Sequence, residues 1–301
     1  MTSQDKRSEA GVRAGHLYVV ATPIGNLGDL SPRASAVLAA VDRIAAEDTR
    51  TTGTLLAHAG IRAPLVALHE HNEDRIAGQL IETVAAGGTL ALVSDAGTPL
   101  ISDPGFALVR AARAAGVPVI AIPGPCAAIA ALSISGLATD SFVFAGFLPA
   151  KSRARRDKLA ALRGELRTII IYESSHRIAD CLADCAAVLG ATRRACLARE
   201  LTKLFEESHT APLGELCVWL AADVNRSRGE FVLVIEGALP DAPDAAEGER
   251  VLRLLLAELP VSRAARIAAA ITGVPRDVLY ALALRLAGGS GDTAAEGDSE
   301  S

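Results

Sequence analysis

Short runs of consecutive apolar residues recur through the first half of the chain, at Leu17–Ala21, Arg43–Ala46, Leu65–Leu68, Leu90–Ser94 and Val117–Ile122. A stretch with apolar positions at helical spacing follows each run. Apolar runs without alternation suit strands buried on both faces, and the intervening helical period suits helices laid over them, so the pattern predicts an α/β layer with a mainly parallel sheet. Ser31-Pro32 offers an N-cap and a first-turn proline to the first helix, and Asp103-Pro104 repeats the device ahead of Gly105–Ala115.

After a strand at Phe142–Phe147 the chain turns through Leu148-Pro149-Ala150 and its composition changes sharply, which predicts a domain boundary there. A second alternating block follows. It carries a helix at 153–163, a strand at Thr168–Tyr172, a helix at Ser175–Leu189, strands at Arg194–Ala198 and around Glu206–Thr210, a helix at Leu213–Ala221 and a strand at Glu230–Glu236. Gly237–Gly248, with Pro240 and Pro243, reads as a linker, and Glu249–Glu258, Ser262–Ile271 and Arg276–Ala287 read as three short helices. The expected organisation is therefore a flexible N-terminus (1–15), an α/β domain (16–149), a second α/β domain (150–237), a linker (238–248), a helical module (249–287) and a disordered acidic tail (288–301).

Composition narrows the functional classes. Half of the 301 residues are hydrophobic, enough for a sizeable core, whereas a net charge of −5 with 3% aromatic residues argues against a globally basic nucleic-acid coat. Contact with a polyanion must then be local. Only four of the 30 basic residues are lysine, and seven bases against Asp157 and Glu165 crowd the stretch from Lys151 to Arg167. Lys151, Arg153, Arg155, Arg156 and Lys158 in it are the candidate phosphate-backbone contacts. Five cysteines with no Cys-x-x-Cys read as reduced packing residues of a cytosolic protein. Residues 114–139 carry no charge, but Pro118, Pro123, Gly124 and Pro125 interrupt them, so a buried strand, turn and helix fits better than a membrane span. The N-terminal residues show no leader pattern.

Ligands of open α/β sheets sit outside the carboxyl ends of the strands, and three loops there are unusual. Ala21–Asp29, Ser94–Gly105 and Ile122–Ala128 are rich in glycine and proline and offer backbone N–H groups to a polar ligand. The fingerprints of dinucleotide binding, ATP binding, serine hydrolysis and zinc proteolysis are absent. Glu47-Asp48-Thr49-Arg50 ends the second strand and His69-Glu70-His71-Asn72-Glu73 the third, which directs both toward the same crevice. His69 and His71 lack an evident third ligand, so no metal is expected. Tyr172-Glu173-Ser174-Ser175-His176-Arg177 is placed to reach across an interdomain cleft.

Taken in order, these blocks, with Ala198–Lys203 and Gly229–Gly237, resemble the small-subunit ribosomal RNA cytidine 2′-O-methyltransferases, a branch of the tetrapyrrole methylase superfamily. The match runs from about residue 16 to 237, and the C-terminal helices are similar as well. The resemblance implies two α/β domains, S-adenosylmethionine (SAM) in the cleft between them, a homodimer, a cytoplasmic location and ribosomal RNA, within the small subunit, as the partner. It implies cofactor contacts at Asp95, Ala96, Gly97, Ile101, Ser102, Pro125, Cys126, Ala127 and Tyr172, with Pro23 and Gly25 bordering the methyl-transfer pocket. The proton leaving a ribose 2′-hydroxyl needs an acceptor, with Glu47, Asp48, His69, Glu70 and His71 as candidates and Arg50 as a phosphate holder. Tetrapyrrole-acting members carry Gly-x-Gly-Pro-Gly-Asp in the first loop; Thr22-Pro23-Ile24-Gly25-Asn26-Leu27 stands there instead and favours the RNA branch. A small-molecule methylase of tetrapyrrole type is the second reading, and a non-enzymatic RNA-binding module the third.

Overall fold

The computed structural model describes residues 11–239 and 244–288, which form two compact units, one extending to Ala238 and one beginning at Leu239. The first unit starts with β1 (His16–Val20), α1 (Pro32–Ala40), β2 (Arg43–Ala46), α2 (Thr49–His58), β3 (Leu65–Ala67), α3 (Glu73–Ala85), β4 (Thr89–Val93), α4 (Phe106–Ala114) and β5 (Val119–Ile122). Its five strands are all parallel, in the order β3-β2-β4-β1-β5. Tyr18, Val37, Leu38 and Ile44 fill one face of the sheet and Leu17, Leu68, Leu90 and Leu108 the other. Burial on both faces is why these strands read as unbroken apolar runs. From β1 the chain crosses β4 to reach β2, and from β4 it crosses β1 to reach β5. The switch of direction lies between β1 and β4, whose carboxyl ends therefore open a crevice.

One capping expectation fails here. Asp103-Pro104 does not start α4, whose N-cap is Gly105 at φ +121°, with no side-chain cap. A Cβ on Gly105 would stand 2.6 Å from Leu92 Cδ2, and the Gly105 N–H donates to Glu73 Oε2 at 2.7 Å. The chain is pinned at a position that favours glycine, and Asp103 stays in the loop.

The same unit continues with α5 (Ala127–Ile134), β6 (Phe142–Phe147), α6 (Ser152–Ala161), β7 (Thr168–Ser174), α7 (Ile178–Leu189), β8 (Arg194–Arg199), β9 (Glu207–Pro212), α8 (Leu213–Ala221) and β10 (Glu230–Ile235). The second sheet has the order β6-β7-β10-β8-β9, and among its neighbours only β6 and β7 run parallel. Helices α6, α7 and α8 bury one face around Leu159, Ile171, Leu182 and Leu213. Helix α5 covers the other, where Ala128 and Ala131 meet Ile170 and Val232, and Ile24 from the loop after β1 packs against them. Through Ile24, the loop after the first strand thus lies against α5 and the second sheet.

The second unit is a three-helix cluster, α9 (Ala245–Leu256), α10 (Val261–Thr272) and α11 (Arg276–Gly288), around Leu252, Ala264, Ala268 and Leu279. Helix α9 begins four residues before Glu249 because the Asp244 carboxylate accepts the Ala246 N–H at 2.9 Å and caps it inside the expected linker. The expected flexible residues 1–10, linker residues 240–243 and acidic tail 289–301 lie outside the described residues. The uncharged 114–139 segment folds as the end of α4, β5 and α5, and no helix among the described residues is long and apolar enough to cross a membrane. All five cysteines are free.

Candidate active site

The three glycine- and proline-rich loops meet at one point. Thr22 and Gly97 exchange backbone hydrogen bonds, Thr22 N–H to Gly97 O at 2.9 Å and Gly97 N–H to Thr22 O at 3.1 Å. The Thr98 hydroxyl donates to Pro125 O at 2.9 Å, which ties the second loop to the third. Gly97 has φ +84°, and a Cβ there would stand 3.2 Å from Ile24 Cγ2 and 3.6 Å from Pro125 O. No other residue type fits that crossing without strain.

Across the crevice, the Tyr172 hydroxyl on β7 accepts the Ala128 N–H at 3.0 Å, giving one of the first, unpaired donors of α5 a partner. Burial, reinforced by the neighbouring Cys126, pushes the Tyr172 phenol well above its usual range, so it stays neutral. Phe144 and Phe147 meet the Tyr172 ring edge-on at 5.0 and 5.8 Å. Between these walls lies a cavity of about 240 Å³. Ala96, Gly97, Ile101, Ser102, Cys126, Ala127 and Tyr172, all expected cofactor contacts, line it.

Four other expected contacts do not line it. Pro125 supplies the carbonyl that Thr98 binds. Pro23 is buried beside Thr22. Asp95 turns toward the second strand, where its carboxylate accepts the Asp48 N–H at 3.0 Å. Gly25 lies against the Lys203 stem, and a Cβ there would meet Lys203 Cγ at 2.4 Å. Lys203 itself reaches the cavity and donates to Glu200 at 2.8 Å and Glu230 at 2.6 Å. Lys203, Glu230, Phe147, Phe231 and Asp103 are lining residues that the sequence reading did not select. For Lys203 a signal existed, since it is one of only four lysines and lies within a block already singled out.

None of the candidate proton acceptors lines the cavity. Glu47 Oε2 accepts the Asp95 N–H at 3.4 Å. Burial raises the Glu47 pKa, the Asp95 hydrogen bond opposes that, and repulsion from Asp95, Glu70 and Asp48 adds to it. Asp48 caps α2 and grips Arg50 with both carboxylate oxygens, at 3.1 and 2.7 Å, and this pairing pulls its pKa down to about 2. The Arg50 guanidinium is therefore committed to a neighbour as well as facing solvent. His69 and His71 meet edge-on at 5.9 Å. Their segment builds the loops: Asn72 accepts the His69 N–H at 2.9 Å and donates to Ala67 O at 3.1 Å, and Glu73 holds Gly105. Among the described residues no group of three or more His, Cys, Asp or Glu side chains could hold a metal ion.

Asp103 lies between the cavity and this acidic group. Burial lifts its pKa to about 6, a hydrogen bond with Ser94 opposes the rise, and the charges of Glu47 and Asp95 add to it.

The basic segment divides. Arg155 is buried, its Nε donating to Asp184 Oδ2 at 2.7 Å and its Nη1 to Ala150 O at 3.2 Å. Arg155 cannot reach a phosphate; it fastens α6 to α7. Arg156 binds the other oxygen of Asp184, and Ser152 donates to the same carboxylate at 3.0 Å. Lys151, Arg153 and Lys158 remain exposed, as does most of Arg156.

Comparison with known proteins agrees with this geometry. Residues 16–217 match the family Tetrapyrrole (Corrin/Porphyrin) Methylases, and residues 242–287 match the RsmI C-terminal HTH domain. The chain is 58% identical to the ribosomal RNA small subunit methyltransferase I of Xylella fastidiosa strain Temecula1 over 267 residues, 88% of this chain and 98% of that one. It is 56% identical to the protein of the same name from Escherichia coli O157:H7 over 275 residues, covering 91% and 96% of the two chains. Among solved structures, the methyltransferase CobJ superimposes with a TM-score of 0.55 at 20% identity, over 75% of this chain and 95% of that one. Diphthine synthase does so with a TM-score of 0.53 at 15% identity, over 74% and 90%. These two likenesses concern the fold alone. The two α/β layers, the shared crevice and the relatives matched over almost their whole length lead to one conclusion: the chain belongs to the tetrapyrrole (corrin/porphyrin) methylase family, in the branch of the ribosomal RNA small subunit methyltransferase I proteins.

Proposed function

We propose that the protein transfers a methyl group from SAM to the ribose 2′-hydroxyl of a cytidine in small-subunit ribosomal RNA. The observation that carries the reading is the convergence of three glycine- and proline-rich loops and the second sheet on one cavity. Its walls suit the donor. Gly97, Ala96 and Ala127 allow close backbone approach, and Ile101 and Phe231 exclude water. SAM supplies an electrophilic methyl group on a sulfonium, which stays reactive toward an oxygen held in line with it where water is excluded.

RNA is held, on this reading, by the exposed Lys151, Arg153, Arg156 and Lys158 and by the C-terminal helices, with phosphate contacts that position and carry no sequence information. Proton handling falls to the acidic side chains at this end of the cavity, where Asp103 lines the wall and Glu47 and Asp95 lie behind it. His69 and His71 belong to the segment that shapes the loops. The protein works in the cytoplasm as a homodimer, for which the outward-facing Ile129 and Ile134 of α5 provide apolar surface.

Incubating the full chain with isotopically labelled SAM and small ribosomal subunits lacking the modification, followed by nuclease digestion and mass spectrometry, tests the assignment. A single cytidine carrying a ribose methyl is the expected product. Methyl on a base, or on a tetrapyrrole but not on RNA, contradicts it.

A further inference from the structure

Three carboxylates line the cavity: Asp103, Glu173 and Glu230. Glu230 accepts from Lys203 at 2.6 Å. Glu173, whose side chain is wholly buried, faces Arg177 at 3.1 Å and accepts its neighbour's Ser174 N–H at 2.9 Å. Lys203 is held as a cation between two acids, which raise its pKa although burial opposes them, and the Tyr172 hydroxyl is already engaged by Ala128. Among the described residues Asp103 alone of these carboxylates has no basic partner.

Its loop is built to present it. Thr98 is bound to the third loop, and Gly105 to Glu73 of α3. Between these anchors Leu100 and Ser102 take left-handed conformations, at φ +73° and +71°, that residues with a side chain rarely adopt. Ile101, Ser102 and Asp103 all reach the cavity wall as a result.

Building on the 2′-O-methyl transfer proposed above, we infer that Asp103 is the group that takes the proton from the hydroxyl being methylated. In that step the oxygen–carbon bond forms while the carbon–sulfur bond breaks, and the electron pair of the broken bond passes to sulfur. The hydroxyl proton goes to the Asp103 carboxylate and from there to water.

The surroundings suit the role. Glu47 beyond β2 and Asp95 beyond β4 face Asp103 with negative charge, Ser94 hydrogen-bonds to it, and Tyr172 on β7, kept neutral, faces it from the second sheet. Glu173 and Lys203 stand farther along the cavity wall with partners of their own. With a pKa of about 6, Asp103 is a carboxylate at neutral pH and a better base than an ordinary aspartate.

The test compares wild type, Asp103→Asn and Asp103→Glu in single-turnover methyl transfer to small subunits from about pH 5 to about pH 8, with S-adenosylhomocysteine affinity measured by calorimetry and the product mapped in the same reactions. For wild type the rate is expected to rise about tenfold per pH unit below about pH 6 and then level. Asp103→Asn is expected to lose about 100-fold or more in rate and the acid limb of the profile while keeping its affinity within about twofold; Asp103→Glu recovers part of the rate and the limb. A ribose-methylated product with Asp103→Asn near the wild-type rate and profile overturns the inference alone. Loss of affinity with the acid limb intact overturns it in favour of a donor-binding role. Methyl found away from the ribose in wild type overturns the reaction assignment and the inference together.

Discussion

Asp184→Ala is expected to destabilise the first unit by about 3 to 5 kcal/mol and to lower its Tm by about 10 °C. The reason is Arg155. Its guanidinium is as buried as the carboxylate, with 3% and 4% of the two side chains exposed, and the carboxylate also receives Arg156 and Ser152. Removing Asp184 leaves a buried cation with only the Ala150 carbonyl, and that desolvated charge, more than the lost attraction, dominates the cost. Burial works to raise the Asp184 pKa, but hydrogen bonds from Arg156, Arg155 and Ser152 outweigh it and hold it below the ordinary 3.8. A lowered carboxylate pKa adds stability that is complete above the unfolded-state value and disappears as pH falls through the folded-state value. The difference in urea midpoint between wild type and Asp184→Ala should therefore be constant near neutrality and shrink in strong acid. A variant within about 1 kcal/mol of wild type would show that α6 is held to α7 by packing alone.

Gly97→Val is expected to weaken S-adenosylhomocysteine binding by about 100-fold or more, roughly 2.7 kcal/mol. The side chain would start from a backbone at φ +84°, crowd Ile24 and approach the Pro125 carbonyl, where all three loops meet. Gly60→Ala isolates the strain component. Gly60 has φ +69°, but nothing lies within 4 Å of where its Cβ would be, so that change should cost about 1 kcal/mol of stability and leave affinity alone. Calorimetry on both variants separates a distorted cavity from a strained backbone. Equal affinities for Gly97→Val and wild type would remove Gly97 from the binding site.

The legible features were the local ones. Continuous apolar runs placed the parallel strands to within about two residues, because burial on both faces leaves no room for alternation, and glycine with proline marked the loops that converge on the cavity. Features that depend on distant partners were misread. Arg155 looked like surface charge because its partner, Asp184, lies 29 residues away. Asp103 followed by proline has the form of a helix start, but the helix waits for Gly105, whose backbone is bound by Glu73 from another helix. Nor could the sequence show that Glu73, at the end of the His69–Glu73 cluster, binds the Gly105 backbone in a different loop. The direction of β8, β9 and β10 was likewise not readable, since pairing in a sheet is fixed by connections and packing rather than by the composition of a strand.

A crystal structure with S-adenosylhomocysteine bound bears most directly on the central claim. The ligand's thioether should lie inside the cavity between Gly97, Ile101, Ala127 and Tyr172, within hydrogen-bonding reach of the backbone of the second and third loops. Density for the ligand on any other face, with this cavity left to solvent, would contradict the account.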